Sequence, residues 1–164
     1  MYDPPDGKFI DLPLMVIALR LLGAVLLGCL IGLEREMRDH AAGLRTHMLT
    51  ALAASTFVLI AVEMVNSFGA DSDITQLDPL RTVEAATSGV AFLAAGTIIQ
   101  ARGQVKGLTT GASIWLSGAV GVACGAGYFY IAGLATLIAL AILLPVSWIE
   151  AHWLNRRKDA KNSD

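Results

Sequence analysis

Charged residues are scarce in this chain. Asp, Glu, Lys and Arg make up 16% of the 164 residues, against roughly 25% in an average soluble domain. Hydrophobic residues make up 55%, and the mean hydropathy is +0.61. This composition excludes an ordinary soluble globular domain and predicts a polytopic membrane protein. At this length we expect a single domain that is embedded in the membrane throughout.

Cysteine and histidine are also few. The two cysteines, Cys29 and Cys124, lie within apolar runs and form no CxxC pair, so we interpret both as packing residues. The three histidines, His40, His47 and His152, do not have the spacing of metal ligands. The sequence therefore predicts neither a disulfide framework nor a bound metal ion.

The motifs of common enzymes are missing as well. There is no GxSxG and no HExxH. Residues 103–111, GQVKGLTTG, lack the GxxxxGK[ST] pattern of a phosphate-binding loop, and the acidic loop at 71–78 lacks the glycine and closing glutamate of an EF-hand. No basic face carries aromatic residues suited to nucleic acid. We therefore expect no enzymatic activity, no cofactor and no nucleic-acid partner.

Apolar runs of the length needed to cross a bilayer dominate what remains. A transmembrane helix needs about 20 predominantly apolar residues. The sequence predicts an all-α bundle of five transmembrane helices at 12–33, 47–66, 79–100, 109–127 and 128–149. Two short segments complete the chain, an N-terminal one at 1–11 and a basic tail at 150–164.

The distribution of Lys and Arg predicts the orientation of these spans. Five spans place the termini on opposite sides, and one side then carries nine of the twelve basic residues: Arg35, Arg38, Arg45, Arg102, Lys106, Arg156, Arg157, Lys158 and Lys161. Because positive loops stay in the cytoplasm, we expect the N-terminus outside and the C-terminus in the cytoplasm.

Glycines recur along the predicted spans at spacings that allow helices to approach closely. We expect the first, third and fourth spans to pack tightly on one another. The glycines predicted at these packing surfaces are Gly28, Gly32, Gly89, Gly96, Gly121 and Gly125. Such surfaces also favour a homodimer.

Arg20 is the costliest charge, because it lies about 12 Å inside the first predicted span at 1.5 Å per residue. We expect Glu63 near the outer end of the second span to be its partner, with Glu84 as second choice because Arg81 is its local mate. This set is either a structural ion pair that fixes helix register or a functional polar site within the membrane.

The charged segment after the first span has two interpretations. Its acidic and basic residues are balanced in number: Glu34, Arg35, Glu36, Arg38, Asp39 and Arg45. It is either a solvated helix extension with local ion pairs or a cytoplasmic docking surface for a partner protein or anionic lipid head groups.

Three separated segments resemble the MgtC/SapB family of bacterial membrane proteins. They are LGCLIGLEREMRDHAAGLRT at Leu27–Thr46, DPLRTVEAATSGVAFLAAGTII at Asp78–Ile99 and VKGLTTGASIWLSGAVGVACGAGYF at Val105–Phe129. The sequence departs from the family pattern at Ala91 and Ala94, where glycine is more common. It resembles a short form that lacks the ACT-like C-terminal domain of longer members.

The resemblance implies a multi-pass protein of the bacterial inner membrane, linked to magnesium limitation, virulence or acid stress. It implies a regulator that acts on other inner-membrane proteins, including the ATP synthase in some members. It also covers Glu34, Arg35, Glu36, Gly43, Leu44, Arg45 and Thr46, which favours the docking interpretation of the loop. The alternative is a cation transporter or channel subunit that uses Arg20, Glu63 and Glu84.

Overall fold

The computed structural model describes residues 12–69, 79–101 and 104–144 of the chain. Within them, five helices and one short hairpin follow one another: α1 (Leu14–Glu36), α2 (Leu44–Gly69), α3 (Pro79–Ala95), β1 (Ile99–Ala101), β2 (Gln104–Lys106), α4 (Leu108–Gly125) and α5 (Phe129–Leu144). The predicted end segments 1–11 and 150–164, the acidic loop at 71–78 and the last residues of the fifth predicted span lie outside the described residues.

Three of these helices are long and apolar enough to cross a membrane, namely Leu14–Glu36, Leu44–Asn66 and Leu108–Gly125. α3 is shorter, at 17 residues, and α5 is a shorter apolar helix as far as it is described. The chain is therefore an all-helical membrane protein with at least these three candidate spans.

The core is built from small side chains where α1, α2, α4 and α5 meet. Its fully buried members are mostly small, with Ile31 the largest: Ala24, Ile31, Ala51, Val120, Cys124 and Ala132. α2 and α4 each contact α1, α3 and one another. The prediction that the first, third and fourth spans pack together therefore needs correction, because α2 takes the central position next to α4.

Four of the predicted packing glycines lie where two helices approach closely. A Cβ added at Gly28 would stand 2.8 Å from the His47 carbonyl oxygen, and one at Gly125 would stand 2.6 Å from that of Ser55. An added Cβ at Gly32 or Gly121 would likewise collide with the backbone of α2. α1 and α4 thus both pack against the α2 backbone, at contacts that a side chain would hold apart.

The third predicted span differs most from the structure. α3 ends at Ala95 instead of continuing to residue 100, and the chain turns into the β1–β2 hairpin with Ile99 opposite Lys106. Gly96 ends the helix, the Thr97 hydroxyl donates to the Ala94 carbonyl at 2.7 Å, and the β-branched residues that follow favour an extended chain. The helical prediction continued through this stretch because it is apolar.

Gly89 and Gly96 do not lie between helices in the described part of the chain. An added Cβ at Gly89 would meet nothing within 4 Å, and one at Gly96 would meet only carbonyl oxygens of its own helix. α3 instead packs on α4 through Val90, which lies against Gly118. The predicted packing at these two glycines therefore needs correction, and Gly89 forms part of an open groove.

Candidate functional site

Most of the buried charged and polar side chains gather at one end of the helices, which we call the loop end. It contains the α1–α2 connection at residues 37–43, the β1–β2 hairpin and the start of α4. The other end of the bundle, where α4 ends and α3 begins, is the opposite end. The predicted loop cluster belongs to the loop end, and Arg20, Glu63, Arg81 and Glu84 belong to the opposite half.

Glu34 and Arg35 are buried inside the loop end. They are only 6% and 3% exposed, because α1 continues as a helix to Glu36 and carries both between its neighbours. An Nη1–Oε2 distance of 3.7 Å separates Arg35 from Glu34, and Arg38 Nε lies 2.6 Å from Glu34 Oε1. The Glu34 carboxylate is thus held between two guanidinium groups. The predicted helix extension with local ion pairs is present, but the prediction that Glu34 and Arg35 are solvated is wrong.

Arg35 also connects α1 to α4. Its Nη2 donates to the Thr110 hydroxyl across 3.5 Å, between two buried side chains. Its Nε has no hydrogen-bond partner among the described residues, and neither do the Glu34 carboxylate oxygens in hydrogen-bond geometry. The pair is therefore held mainly by charge, and it depends on both partners being present.

His47 links the same region to α2 and is fully buried, at 0% exposure. Its Nδ1 lies 2.7 Å from the Gly43 carbonyl oxygen and its Nε2 lies 3.0 Å from the Ser113 hydroxyl. Because a carbonyl only accepts, Nδ1 carries the proton. The Ser113 hydroxyl lies within hydrogen-bond distance of Nε2 and donates to the Thr110 carbonyl oxygen at 2.9 Å. His47 therefore joins the α1–α2 turn to the first turns of α4.

Glu36 and Gly43 shape the turn that leads into α2. The Glu36 Oε2 atom accepts from the Leu44 amide at 2.9 Å, which satisfies one of the free amides at a helix start. An added Cβ at Gly43 would collide with that carboxylate. Thr46 lies in the first turn of α2, and its carbonyl accepts from the Thr50 hydroxyl at 2.8 Å. These residues of the predicted loop set are thus structural parts of the turn.

Residues 37–41 of the turn face outward, whereas Ala42 is buried. Met37 is 78% exposed, and Arg38, Asp39, His40 and Ala41 are exposed beside it. Asp39 adopts a left-handed conformation, with φ 54°. Partial burial lowers the pKa of His40, and the nearby positive charge of Arg35 lowers it further. We call residues 37–41 the turn surface.

At the opposite end, Arg20 caps α4 from outside. α4 ends in a turn in which Gly127 has φ 87° and the Tyr128 amide donates to the Ala123 carbonyl at 2.8 Å. The backbone hydrogen bonds of this turn do not use the Gly125 carbonyl, which instead accepts from Arg20 Nη1 at 2.8 Å. A cation at the C-terminal end of a helix is also favoured by the helix dipole. Arg20 therefore has a structural role that the sequence does not indicate.

The other predicted intramembrane residues have separate surroundings. Glu63 Oε1 accepts from the Leu12 amide at 3.0 Å, beside the start of α1. Glu84 and Arg81 are exposed on α3, and Arg81 lines the groove between α2 and α3. The described contacts of Arg20 and Glu63 thus go to backbone groups, and their mutual pairing stays a prediction.

Replacing Arg20 by methionine is expected to lower the free energy of unfolding by about 1.5–3 kcal/mol, as for hydrogen bonds to charged groups. Arg20→Lys should restore part of the loss, because lysine keeps the charge with a shorter reach. The measurement is a denaturant titration in mild detergent, with Arg81→Gln as the control expected within about 0.5 kcal/mol of wild type. Unchanged stability in Arg20→Met would contradict the capping role.

Comparison with known proteins identifies the family of this chain. The model of the MgtC family matches residues 21–152, which include all the residues of the loop end described above. The chain belongs to the MgtC family. No solved structure matches it.

Proteins of several bacteria are similar over most of this chain. Protein MgtC of Brucella abortus is 43% identical over 130 residues, which are 79% of this chain and 51% of that protein. Protein MgtC of Salmonella typhimurium is 43% identical over 122 residues, 74% of this chain and 48% of that protein. An uncharacterized protein of Haemophilus influenzae is 30% identical over 150 residues, 91% of this chain and 63% of its own length. The chain thus spans about half the length of the MgtC proteins that it matches.

Three buried residues that form hydrogen bonds at the loop end were not among the candidates from sequence. They are His47, Thr110 and Ser113. Thr110 accepts a hydrogen bond from Arg35, and Ser113 lies within hydrogen-bond distance of both His47 and the Thr110 carbonyl. A usable signal exists for Arg35 itself, because Gly28, Gly32 and Arg35 are spaced four and three residues apart and so share one helix face. A residue on the face of the packing glycines is expected to be buried.

Proposed function

We propose that this protein is a non-enzymatic regulator in the bacterial inner membrane that acts by binding other membrane proteins. Its setting would be adaptation to magnesium limitation, virulence or acid stress, as the family implies, and the ATP synthase is one candidate partner. Supporting this proposal is the way the interior is filled. The buried charged groups at the loop end pair with one another, and glycines of α1 and α4 pack directly against the backbone of α2.

The proposed orientation places the loop end in the cytoplasm. Arg38, Arg45 and Lys106 belong to this end, and Arg81 belongs to the other. Positively charged loops favour the cytoplasmic side. The N-terminus would then be outside and the C-terminus inside, with five spans in all.

We assign partner binding to the turn surface, residues 37–41. Glu34 and Arg35 are removed from the predicted docking set because they are buried, and a buried side chain offers nothing to a partner. Met37 instead presents a large apolar side chain among Arg38, Asp39 and His40. An apolar residue surrounded by polar ones is typical of a protein interface. This is the observation on which the proposed function depends most.

A photoreactive amino acid at position 37 tests this assignment in native membranes. We expect it to cross-link to another membrane protein, with the membrane subunits of the ATP synthase examined first. The control position is Tyr130, which is 95% exposed and lies on α5 close to the end of α4, far from the turn. Asp39→Arg should reduce the yield at position 37 at least several-fold. Equal yields at both positions would contradict docking through the turn surface.

Cation transport is the second candidate function, and one feature of α2 and α4 favours it. Ser55 and Ser117 are fully buried, and neither hydroxyl has a hydrogen-bond partner among the described residues. Polar groups inside a membrane bundle commonly mark hydrophilic paths. However, Gly121 and Gly125 bring the two helix backbones together beside these serines, which leaves little space for an ion.

Proteoliposomes distinguish the two functions. The purified protein is tested for flux of magnesium, potassium and protons, with Arg20→Met as the comparison. A regulator shows no flux above that of empty liposomes in either case. Flux by the wild-type protein that Arg20→Met abolishes would make this a transporter and would replace the proposed function.

A further inference from the structure

An open apolar groove runs between α2 and α3. Its volume is about 680 Å³, and its lining includes Phe57, Ile60, Ala86, Gly89 and Leu93. The groove is open at Gly89, because an added Cβ there would meet nothing within 4 Å. In a membrane an apolar groove of this kind is filled by a hydrocarbon chain or by another helix, because its lining offers water few hydrogen-bond partners.

The groove continues to the first turn of α2. A cavity of about 320 Å³ shares Thr50, Ala53 and Leu93 with the larger groove and is bordered by Arg45 and Thr46. From Thr46 to Phe57 the helix rises about 16 Å at 1.5 Å per residue. This is about half of the roughly 30 Å hydrocarbon core of a bilayer. The part of the groove between Thr46 and Phe57 therefore matches the depth of one leaflet, and the groove continues beyond it to Met64.

The upper end of this groove attracts an anion. Arg45 is exposed, and it makes no ion pair with any described residue. The first turn of α2 itself contains no acidic residue, and a helix start carries partial positive charge, which favours anions near it. Glu36 occupies the Leu44 amide, whereas the Arg45 and Thr46 amides have no hydrogen-bond partner among the described residues.

These features together match one molecule with an anionic head and an apolar chain. We propose that the α2–α3 groove binds one anionic phospholipid, with its phosphate at Arg45, Thr46 and the start of α2 and one acyl chain against Gly89. A helix of another protein would fill the apolar part, but it would need an acidic residue at this position to supply the anion for Arg45. The site does not depend on the proposed function, because it uses neither the turn surface nor any partner protein.

Native mass spectrometry of the full chain in mild detergent tests the proposal. The protein is titrated with phosphatidylglycerol, with phosphatidylcholine of the same acyl chains, and with inorganic phosphate. We expect one retained phosphatidylglycerol, weaker retention of phosphatidylcholine and no displacement by phosphate. Arg45→Gln should weaken phosphatidylglycerol about five-fold, since one arginine near an anionic surface contributes about 1 kcal/mol.

Gly89→Leu fills the groove and should abolish retention of both lipids. Its matched control is Gly133→Leu, because Gly133 also has nothing within 4 Å of an added Cβ but lies on α5. Lys106→Gln, which removes an exposed cation of the hairpin at the same end, is the control for Arg45→Gln. Both controls should retain phosphatidylglycerol as the wild type does.

Three results would overturn the proposal. The first is equal retention of phosphatidylglycerol and phosphatidylcholine by the wild type. The second is an equal loss in a variant and its control. The third is a wild-type protein that retains no lipid while Gly89→Cys chains cross-link to one another, which would assign the groove to a second copy of the chain.

Discussion

Replacing Gly121 by alanine is expected to destabilise the protein, although alanine is the better helix former. An added Cβ at this position would collide with the Ala51 carbonyl oxygen and would lie 2.8 Å from the Ala51 Cα atom. Both are backbone atoms of α2, so the collision is relieved only if two helices move apart. Overpacking of this kind costs about 1–3 kcal/mol of unfolding free energy.

The matched control for this change is Gly133→Ala. Gly133 is in the middle of α5, and its added Cβ would meet nothing within 4 Å. Alanine is favoured over glycine in a helix by about 0.8–1.0 kcal/mol, so Gly133→Ala should be neutral or stabilising. Denaturant titration in mild detergent, followed by tryptophan fluorescence, measures both. Equal effects at the two positions would mean that α2 and α4 do not pack as closely as the structure has them.

Glycine spacing predicted which residues approach other helices at some positions and failed at others. Gly28 and Gly32 are four residues apart, and both lie against α2. Gly89 also has small residues beside it in the sequence, but α3 contacts α4 through Val90, and Gly89 lies on the open groove instead. A sequence shows that a glycine-containing helix face is able to pack closely, but it does not show which of several such faces packs against another helix. Which helix is the partner, here α2, depends on the arrangement of the whole bundle.

The charged segment after α1 shows the same limit in its electrostatics. Local sequence predicted a solvated segment at the point where the apolar run ends, because charges are normally excluded from the interior. Glu34 and Arg35 nevertheless remain helical and buried, since they are paired with each other and Arg38, and since Thr110 on α4 is placed to accept from Arg35. The pairing within α1 is visible in the sequence. The partner on α4, 75 residues away, is not.

The opposite end illustrates how a prediction from charge alone overlooks backbone groups. Arg20 requires a partner inside the membrane, and the sequence offered Glu63 as the natural one. In the structure its guanidinium lies against the turn after α4 and donates to Gly125. A carbonyl left over at a helix end is an acceptor that no side-chain pattern reveals. The cap is an effect of tertiary structure.

Removing the charge of Arg35 is expected to have the largest effect of any single side-chain change at the loop end. In Arg35→Met the buried Glu34 carboxylate loses one of its two cations, and Thr110 loses its donor. Breaking a buried ion pair from one side costs about 3–5 kcal/mol of unfolding free energy. Arg38, whose side chain is partly exposed, should limit the loss to the lower part of this range.

A double variant shows whether the loss comes from the uncompensated carboxylate. Glu34→Gln combined with Arg35→Met removes both charges, and the unfolding free energy should recover by more than 1 kcal/mol relative to Arg35→Met alone, on the order expected for neutralised buried pairs. Arg45→Gln, at an exposed position on the same end, is the control and should change it by no more than about 0.5 kcal/mol. If instead Arg35→Met leaves stability unchanged and abolishes cross-linking from position 37, Arg35 acts in partner binding, and the buried ion pair is not what stabilises the loop end. The predicted combination is the reverse: low stability in Arg35→Met, recovery in the double variant, and cross-linking restored together with the fold.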